Sequence, residues 1–152
     1  TATLIETNID DMNPEFYGHV ADQLFAAGAL DVWTTPVQMK KQRPGTLLSV
    51  LARSADEERM ADILLRETTT LGVRVHSVHR HEAGREQHAV ETEWGAARVK
   101  LKFVEEELIG IKPEHDDCRQ LATDNNVSLQ SVYEAVQSVA RQRWNGERKI
   151  VN

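Results

Sequence analysis

Cysteine is almost missing from this chain. Cys118 stands alone among 152 residues, so no internal disulfide can form and the expected setting is reducing and cytoplasmic. Long apolar runs are missing too. None approaches the ~18 residues of a membrane helix, and no export leader opens the chain, so no membrane partner is expected. An excess of positive charge is the third absence: 24 acidic against 18 basic residues leave a net −6. That balance argues against a nucleic-acid binder held by bulk charge, so any bound anion must be captured by a local cluster. Cys-x-x-Cys pairs, phosphate-binding glycine loops and nucleophile elbows do not occur, which leaves a hydrolase triad without support. No internal repeat or low-complexity tract is present. The chain opens at Thr1, inside an apolar stretch and without an initiator methionine, and is expected to be a piece of a longer protein.

What is present begins with Glu6-Thr7-Asn8-Ile9-Asp10-Asp11-Met12-Asn13-Pro14-Glu15. An apolar β-leaning run ends here in two adjacent carboxylates, and Asn13-Pro14 has the form of a helix cap with proline at the first helical position. A basic turn, Lys40-Lys41-Gln42-Arg43-Pro44-Gly45, and a hydroxyl-rich run, Arg66-Glu67-Thr68-Thr69-Thr70-Leu71-Gly72-Val73-Arg74, follow. Acids for a hard cation, cations for phosphate and hydroxyls are the parts of a nucleoside-triphosphate site.

Taken in order, residues 3–9 read as a strand and 14–27 as a helix with Phe16, Val20, Leu24 and Ala27 on one stripe. Residues 30–40 and 46–53 form a hairpin with Lys40, Lys41 and Arg43 at its tip. Ser54-Ala55-Asp56-Glu57 has capping-box spacing ahead of a helix ending near Thr68, and 71–78 returns to a strand. Strand, helix, strand, strand, helix, strand is the split βαβ, ferredoxin-like α+β arrangement, with an antiparallel sheet and both helices on one face. Residues 1–78 form that lobe. Residues 79–152 form a smaller lobe: a hairpin of 87–92 and 97–104 with Arg98, Lys100 and Lys102 on one face, then a helix opened by Lys112-Pro113-Glu114 and broken at Asp124-Asn125-Asn126. Ser128 caps a final helix with Val132, Val136, Val139 and Ala140 inward, and a polar tail from Trp144 to Asn152 is expected to fray.

Each candidate also has a plain structural reading. Asp10 or Asp11 can simply favour the start of the next helix through its dipole, and if the strand persists through them, side-chain alternation lets at most one face a given ligand. Asn8 and Asn13 beside them add neutral oxygen donors suited to Mg²⁺ or Mn²⁺. The basic tip can be solvated surface, yet Arg43 has the geometry to grip a phosphate. The threonines can merely end a helix. Alternatively Arg66, Glu67, the threonine hydroxyls and Arg74 line a cavity beside the acidic corner. His76, His79, His81 and His88 lack ligand spacing and read as surface residues. Cys118 reads as a small buried helix residue.

These blocks, with Ala27-Gly28-Ala29-Leu30-Asp31-Val32, Pro36-Val37-Gln38-Met39 and Thr46-Leu47-Leu48, closely resemble the C-terminal part of the LarC family of nickel insertion proteins in nickel-pincer cofactor biosynthesis, which serves lactate racemase. Glu93-Trp94-Gly95 and Ile111-Lys112-Pro113-Glu114-His115-Asp116-Asp117-Cys118 extend the resemblance to about residue 136. It implies a CTP-dependent cyclometallase that inserts Ni²⁺ into pyridinium-3,5-bisthiocarboxylic acid mononucleotide, using CTP with Mn²⁺ or Mg²⁺. The family protein is longer and carries a histidine-rich N-terminal part, so this chain is expected to bind nucleotide without completing nickel insertion alone, and to assemble as a homo-oligomer. On the matching blocks, Asp10, Asp11 and Glu67 are assigned to the divalent cation and Lys40, Lys41, Arg43 and Arg74 to the triphosphate. Arg66, Thr68, Thr69 and Thr70 are assigned to phosphate or ribose, with Lys100, Lys102 or Lys112 from the second lobe. Two readings from other classes are a non-catalytic ligand-binding ferredoxin-like domain and an oligomerisation scaffold.

Overall fold

A computed structural model describes residues 1–145. The expected fraying tail lies, from residue 146 on, outside the described residues. Two compact units divide the chain, Thr1–His81 and the described residues from Glu82 onward.

The first unit contains β1 (Ala2–Ile9), α1 (Phe16–Ala26), β2 (Asp31–Gln38), β3 (Pro44–Arg53), α2 (Glu57–Glu67) and β4 (Arg74–Val78). Its sheet order is β2-β3-β1-β4, with every neighbouring pair antiparallel. This is the expected ferredoxin-like order. Alternation on the strands produces it: Ile5 and Ile9 of β1 and Leu48, Val50 and Ala52 of β3 point to one face and are buried with Val20 and Leu24 of α1 and Met60 and Leu64 of α2. Each of these side chains other than Ala52 contributes roughly 1.5–3 kcal/mol on burial. Phe16 departs from the expected stripe. It sits in the first turn of α1 and is 52% exposed.

Two expected caps take other forms. The Asn13 side chain accepts a hydrogen bond from the Glu15 N–H at 3.0 Å, holding a turn just ahead of α1. Ser54 to Asp56 form a short 3₁₀ turn rather than a capping box. Glu57 Oε2 instead accepts from Thr3 Oγ1 at 3.3 Å, because the buried Thr3 hydroxyl on β1 requires a partner.

The second unit contains β5 (Gly84–Thr92), β6 (Gly95–Val104), β7 (Glu107–Pro113), α3 (His115–Asn125) and α4 (Leu129–Asn145). Its sheet has three strands, ordered β5-β6-β7. The sequence suggested two. Pro113, read as a helix opener, closes β7, where its missing N–H leaves no gap at a strand end. Val90, Ala97, Val99 and Leu101 meet Cys118, Ala122, Val132, Val136 and Ala140 in a second core. Arg98, Lys100 and Lys102 are exposed on the opposite face, as their alternation requires. Ser128 caps α4 by accepting from the Ser131 N–H at 3.1 Å. No helix among the described residues is long and apolar enough to cross a membrane.

Candidate functional site

Strand β1 delivers the acidic corner. Ile9 is 2% exposed and Met12 9%, so apolar anchors on both sides fix the bend that carries Asp10 and Asp11. The two carboxylates do point to different partners. Asp10 Oδ2 lies 3.7 Å from Arg43 Nη1, while Asp11 Oδ1 accepts a hydrogen bond from Thr69 Oγ1 at 2.5 Å.

The basic turn reaches that corner through a close backbone approach. Gly45, at the start of β3, packs so tightly that a Cβ there would lie 2.9 Å from the Ile9 carbonyl oxygen and 2.3 Å from Met39 Sδ. The turn itself is closed by the Met39 N–H donating to the Arg43 carbonyl at 2.8 Å. Within it, Lys41 and Gln42 adopt left-handed φ values of 59° and 58°. Neither is glycine, so the backbone there is strained. Among the described residues, Lys40 and Lys41 form no ion pair. Arg43 meets the Asp10 carboxylate, with its side chain 58% exposed.

The threonine run divides its roles. Thr68 ends α2, donating from Oγ1 to the Leu64 carbonyl at 2.6 Å, which is its plain structural reading. Thr69 turns to Asp11. Thr70 is pinned to β1: its hydroxyl contacts Thr7 Oγ1, and both hydroxyl oxygens lie within hydrogen-bond distance of the Gly72 carbonyl, at 2.9 and 3.0 Å. Thr7 is 2% exposed, so a buried hydroxyl on β1 is what holds this loop beside the acids.

Other expected members have partners of their own. Arg66 donates from Nε to both Asp62 oxygens at 2.8 Å on the surface of α2, and that partner raises its pKa. Glu67 is 3.8 Å from His19 on α1. Among the described residues no three His, Cys, Asp or Glu side chains gather as a metal-holding group, so Asp10, Asp11 and Glu67 do not make a preformed cage. Arg74 donates to the Asn8 side chain on the helix-free face of the sheet. On that face Glu6 accepts from Ser49 at 3.3 Å and lies 3.8 Å from His76. Lys100, paired with Glu114 at 2.9 Å, and Lys102 belong to the second unit. His79 and His81 meet edge to face at 5.1 Å, and His88 lies 2.8 Å from Glu86.

Sequence reasoning overlooked Thr7 and Gly45. A hydroxyl at an inward strand position, between Ile5 and Ile9, signals a polar partner in the core. A glycine at the head of a β-branched and leucine-rich strand signals a close backbone approach.

Comparisons with known proteins identify the family and the fold. Residues 1–133 match the family described as nickel insertion protein. The pyridinium-3,5-bisthiocarboxylic acid mononucleotide nickel insertion protein of Clostridium acetobutylicum is 47% identical over 133 residues, covering 88% of this chain and 32% of that protein. The chain thus spans about a third of the length of the curated relatives it matches. Among solved structures, LarC2, the C-terminal domain of a cyclometallase involved in the synthesis of the NPN cofactor of lactate racemase, in apo form, superposes with a TM-score of 0.86 at 38% identity, over 93% of this chain and 97% of that one. A protein of Methanopyrus kandleri AV19 superposes at 0.71 over 92% and 86% of the two chains; at 24% identity that likeness is one of fold.

Proposed function

The chain belongs to the nickel insertion protein family, and from that premise we propose that it is the CTP-binding part of a cyclometallase that loads nickel into a pyridinium mononucleotide. The observation that carries the reading is the convergence, at the end of β1, of Asp10 on Arg43 and of Asp11 on Thr69. Two carboxylates there face two different segments, and the basic turn beside them keeps Lys40 and Lys41 uncommitted.

In this reading Lys40, Lys41 and Arg43 take the triphosphate, with Thr69 and Thr70 as hydroxyl contacts at its edge. Asp10 and Asp11 hold the Mn²⁺ or Mg²⁺ that arrives with the nucleotide. The residues fit that role, because Mg²⁺ usually takes only one or two protein carboxylates and fills its remaining positions with phosphate and water. Such a cation, when bound, neutralises charge developing on the phosphates. With its carboxylate turned to such a cation, Asp10 would release Arg43, whose guanidinium could then grip phosphate through two N–H groups. Arg74 stays with Asn8 as a positioning contact until a ligand reaches that face.

Nickel is cargo here. Its ligands are assigned to the two thirds of the family protein that this chain does not span. Assembly into homo-oligomers belongs to the same reading, and the helix-free face of the first sheet, where Trp33 is 40% exposed, is the surface it would use. Calorimetry with Mn²⁺ tests the assignment. CTP binds more tightly than ATP or GTP if it holds; equal or absent heats for all three would leave a ligand-binding or scaffold domain without nucleotide chemistry.

A further inference from the structure

The second-unit sheet turns one face to its helices and the other to solvent. Two cross-strand rows stand on the solvent face: Gln87, Lys100 and Lys112, then Arg85, Lys102 and Gly110. Each row sets like charges directly opposite one another, Lys100 against Lys112 and Arg85 against Lys102. Such opposition weakens a sheet. Packing does not demand it, because all four side chains are exposed. Lys100 has a partner in Glu114 at 2.9 Å. Among the described residues, Arg85, Lys102 and Lys112 have no ion pair, and Glu91, on the same face, stands at its far end opposite Ala96.

Gly110 completes the pattern. A Cβ built there would meet nothing closer than the Lys102 Cβ at 3.9 Å. The sheet therefore has a bare spot beside Lys102 and two residues from Lys112. A glycine inside a strand often marks the close approach of something else to the backbone.

We propose that this bare spot and the cations around it, Arg85, Lys100, Lys102 and Lys112, form a seat for the phosphate of a mononucleotide. With strands ~4.8 Å apart and rows ~6.8 Å apart, the patch spans about 10 by 7 Å, the size of one phosphoryl group and part of a sugar. It is too small for the run of phosphates a nucleic acid presents, which also fits the chain's net −6. The inference rests on the proposed function only for the choice of ligand, a pyridinium phosphomonoester. The charge pattern and the bare spot stand without it.

The test is amide NMR of the chain titrated with nicotinic acid mononucleotide, inorganic phosphate and nicotinic acid riboside. The mononucleotide and phosphate shift the amides of Lys100, Lys102, Gly110 and Lys112, and the riboside, lacking the phosphate, does not. Lys102→Gln with Lys112→Gln weakens mononucleotide binding roughly tenfold or more. Gly110→Val, which keeps every charge and suits a strand, weakens it too while leaving thermal stability undiminished. Shifts absent from this face, or binding unchanged in both variants, would overturn the seat. CTP with Mn²⁺ added separately reads residues 9–11 and 40–43, so failure of either site is seen independently of the other.

Discussion

The Asp10 carboxylate stands 3.7 Å from the Arg43 guanidinium, and this contact ties the end of β1 to the turn between β2 and β3. Arg43 is mostly solvent-exposed, so the pair contributes only ~0.2–1 kcal/mol to stability. A double-mutant cycle with Asp10→Asn and Arg43→Gln should give a coupling in that range that shrinks as salt is added. Either single change should weaken CTP binding in the presence of Mn²⁺ by roughly tenfold or more. A stability coupling of several kcal/mol with unaltered CTP affinity would make the pair structural instead.

Lys41 holds a left-handed backbone conformation, φ 59°, that costs a side-chain-bearing residue about 1–2 kcal/mol. Glycine adopts it freely but loses more entropy on folding. Lys41→Gly should therefore leave the urea midpoint level or raise it, whereas Lys41→Ala keeps the strain and gains nothing. Both should lose triphosphate affinity. A large destabilisation in Lys41→Gly would show that the lysine side chain itself supports the turn.

Gly45→Ala should act at two levels. The Met39 sulfur can swing aside, but the Ile9 carbonyl belongs to the central strand and cannot. Overpacking of this kind costs about 1–3 kcal/mol, read as a lower urea midpoint. It should also push the basic turn away from Asp10 and weaken CTP binding more than the loss of stability alone would. Unchanged binding at full occupancy of the folded state would dissociate the close approach from the site.

How far the chain could be read without coordinates follows from which signals were local. The first six elements were legible because helix and strand periodicities switch cleanly at Gly28, at the 42–45 turn and near Thr68, and because inward residues such as Ile5, Ile9, Leu48 and Val50 alternate. The acidic corner and the basic tip were legible as clusters for the same reason. Strand β7 was not. Glu105-Glu106-Glu107 and Gly110 carry little strand propensity, and the strand exists because β6 offers a partner edge. Nor could local sequence place Glu67, whose partner His19 lies on another helix, whereas Asp62, four residues before Arg66 on one helix, was a partner within its reach. The partition of the threonines depended on Thr7, a contact between residues far apart in sequence.

The second unit offers a pH test. Asp117 accepts two hydrogen bonds from the Arg98 side chain, at 2.8 and 2.7 Å, and one from its backbone N–H at 2.9 Å. The guanidinium bonds are the main cause that holds its carboxyl at about 2, against the opposing effect of burial. The folded value lies below the unfolded one, about 3.9, so the stabilisation is present above that pH and is lost as pH falls through about 2. The stability gap between wild type and Asp117→Asn should be constant above about pH 5 and close on the way down to pH 2. A gap that widens in acid would refute the assignment.

The most direct measurement uses Mn²⁺ as its own probe. Amide NMR of the chain with saturating CTP and sub-stoichiometric Mn²⁺ should broaden first the signals of residues 9–11, 40–43 and 69, and Asp10→Asn with Asp11→Asn should abolish that broadening. Broadening centred anywhere else, with the double variant behaving as wild type, would contradict a metal-bound nucleotide at the end of β1.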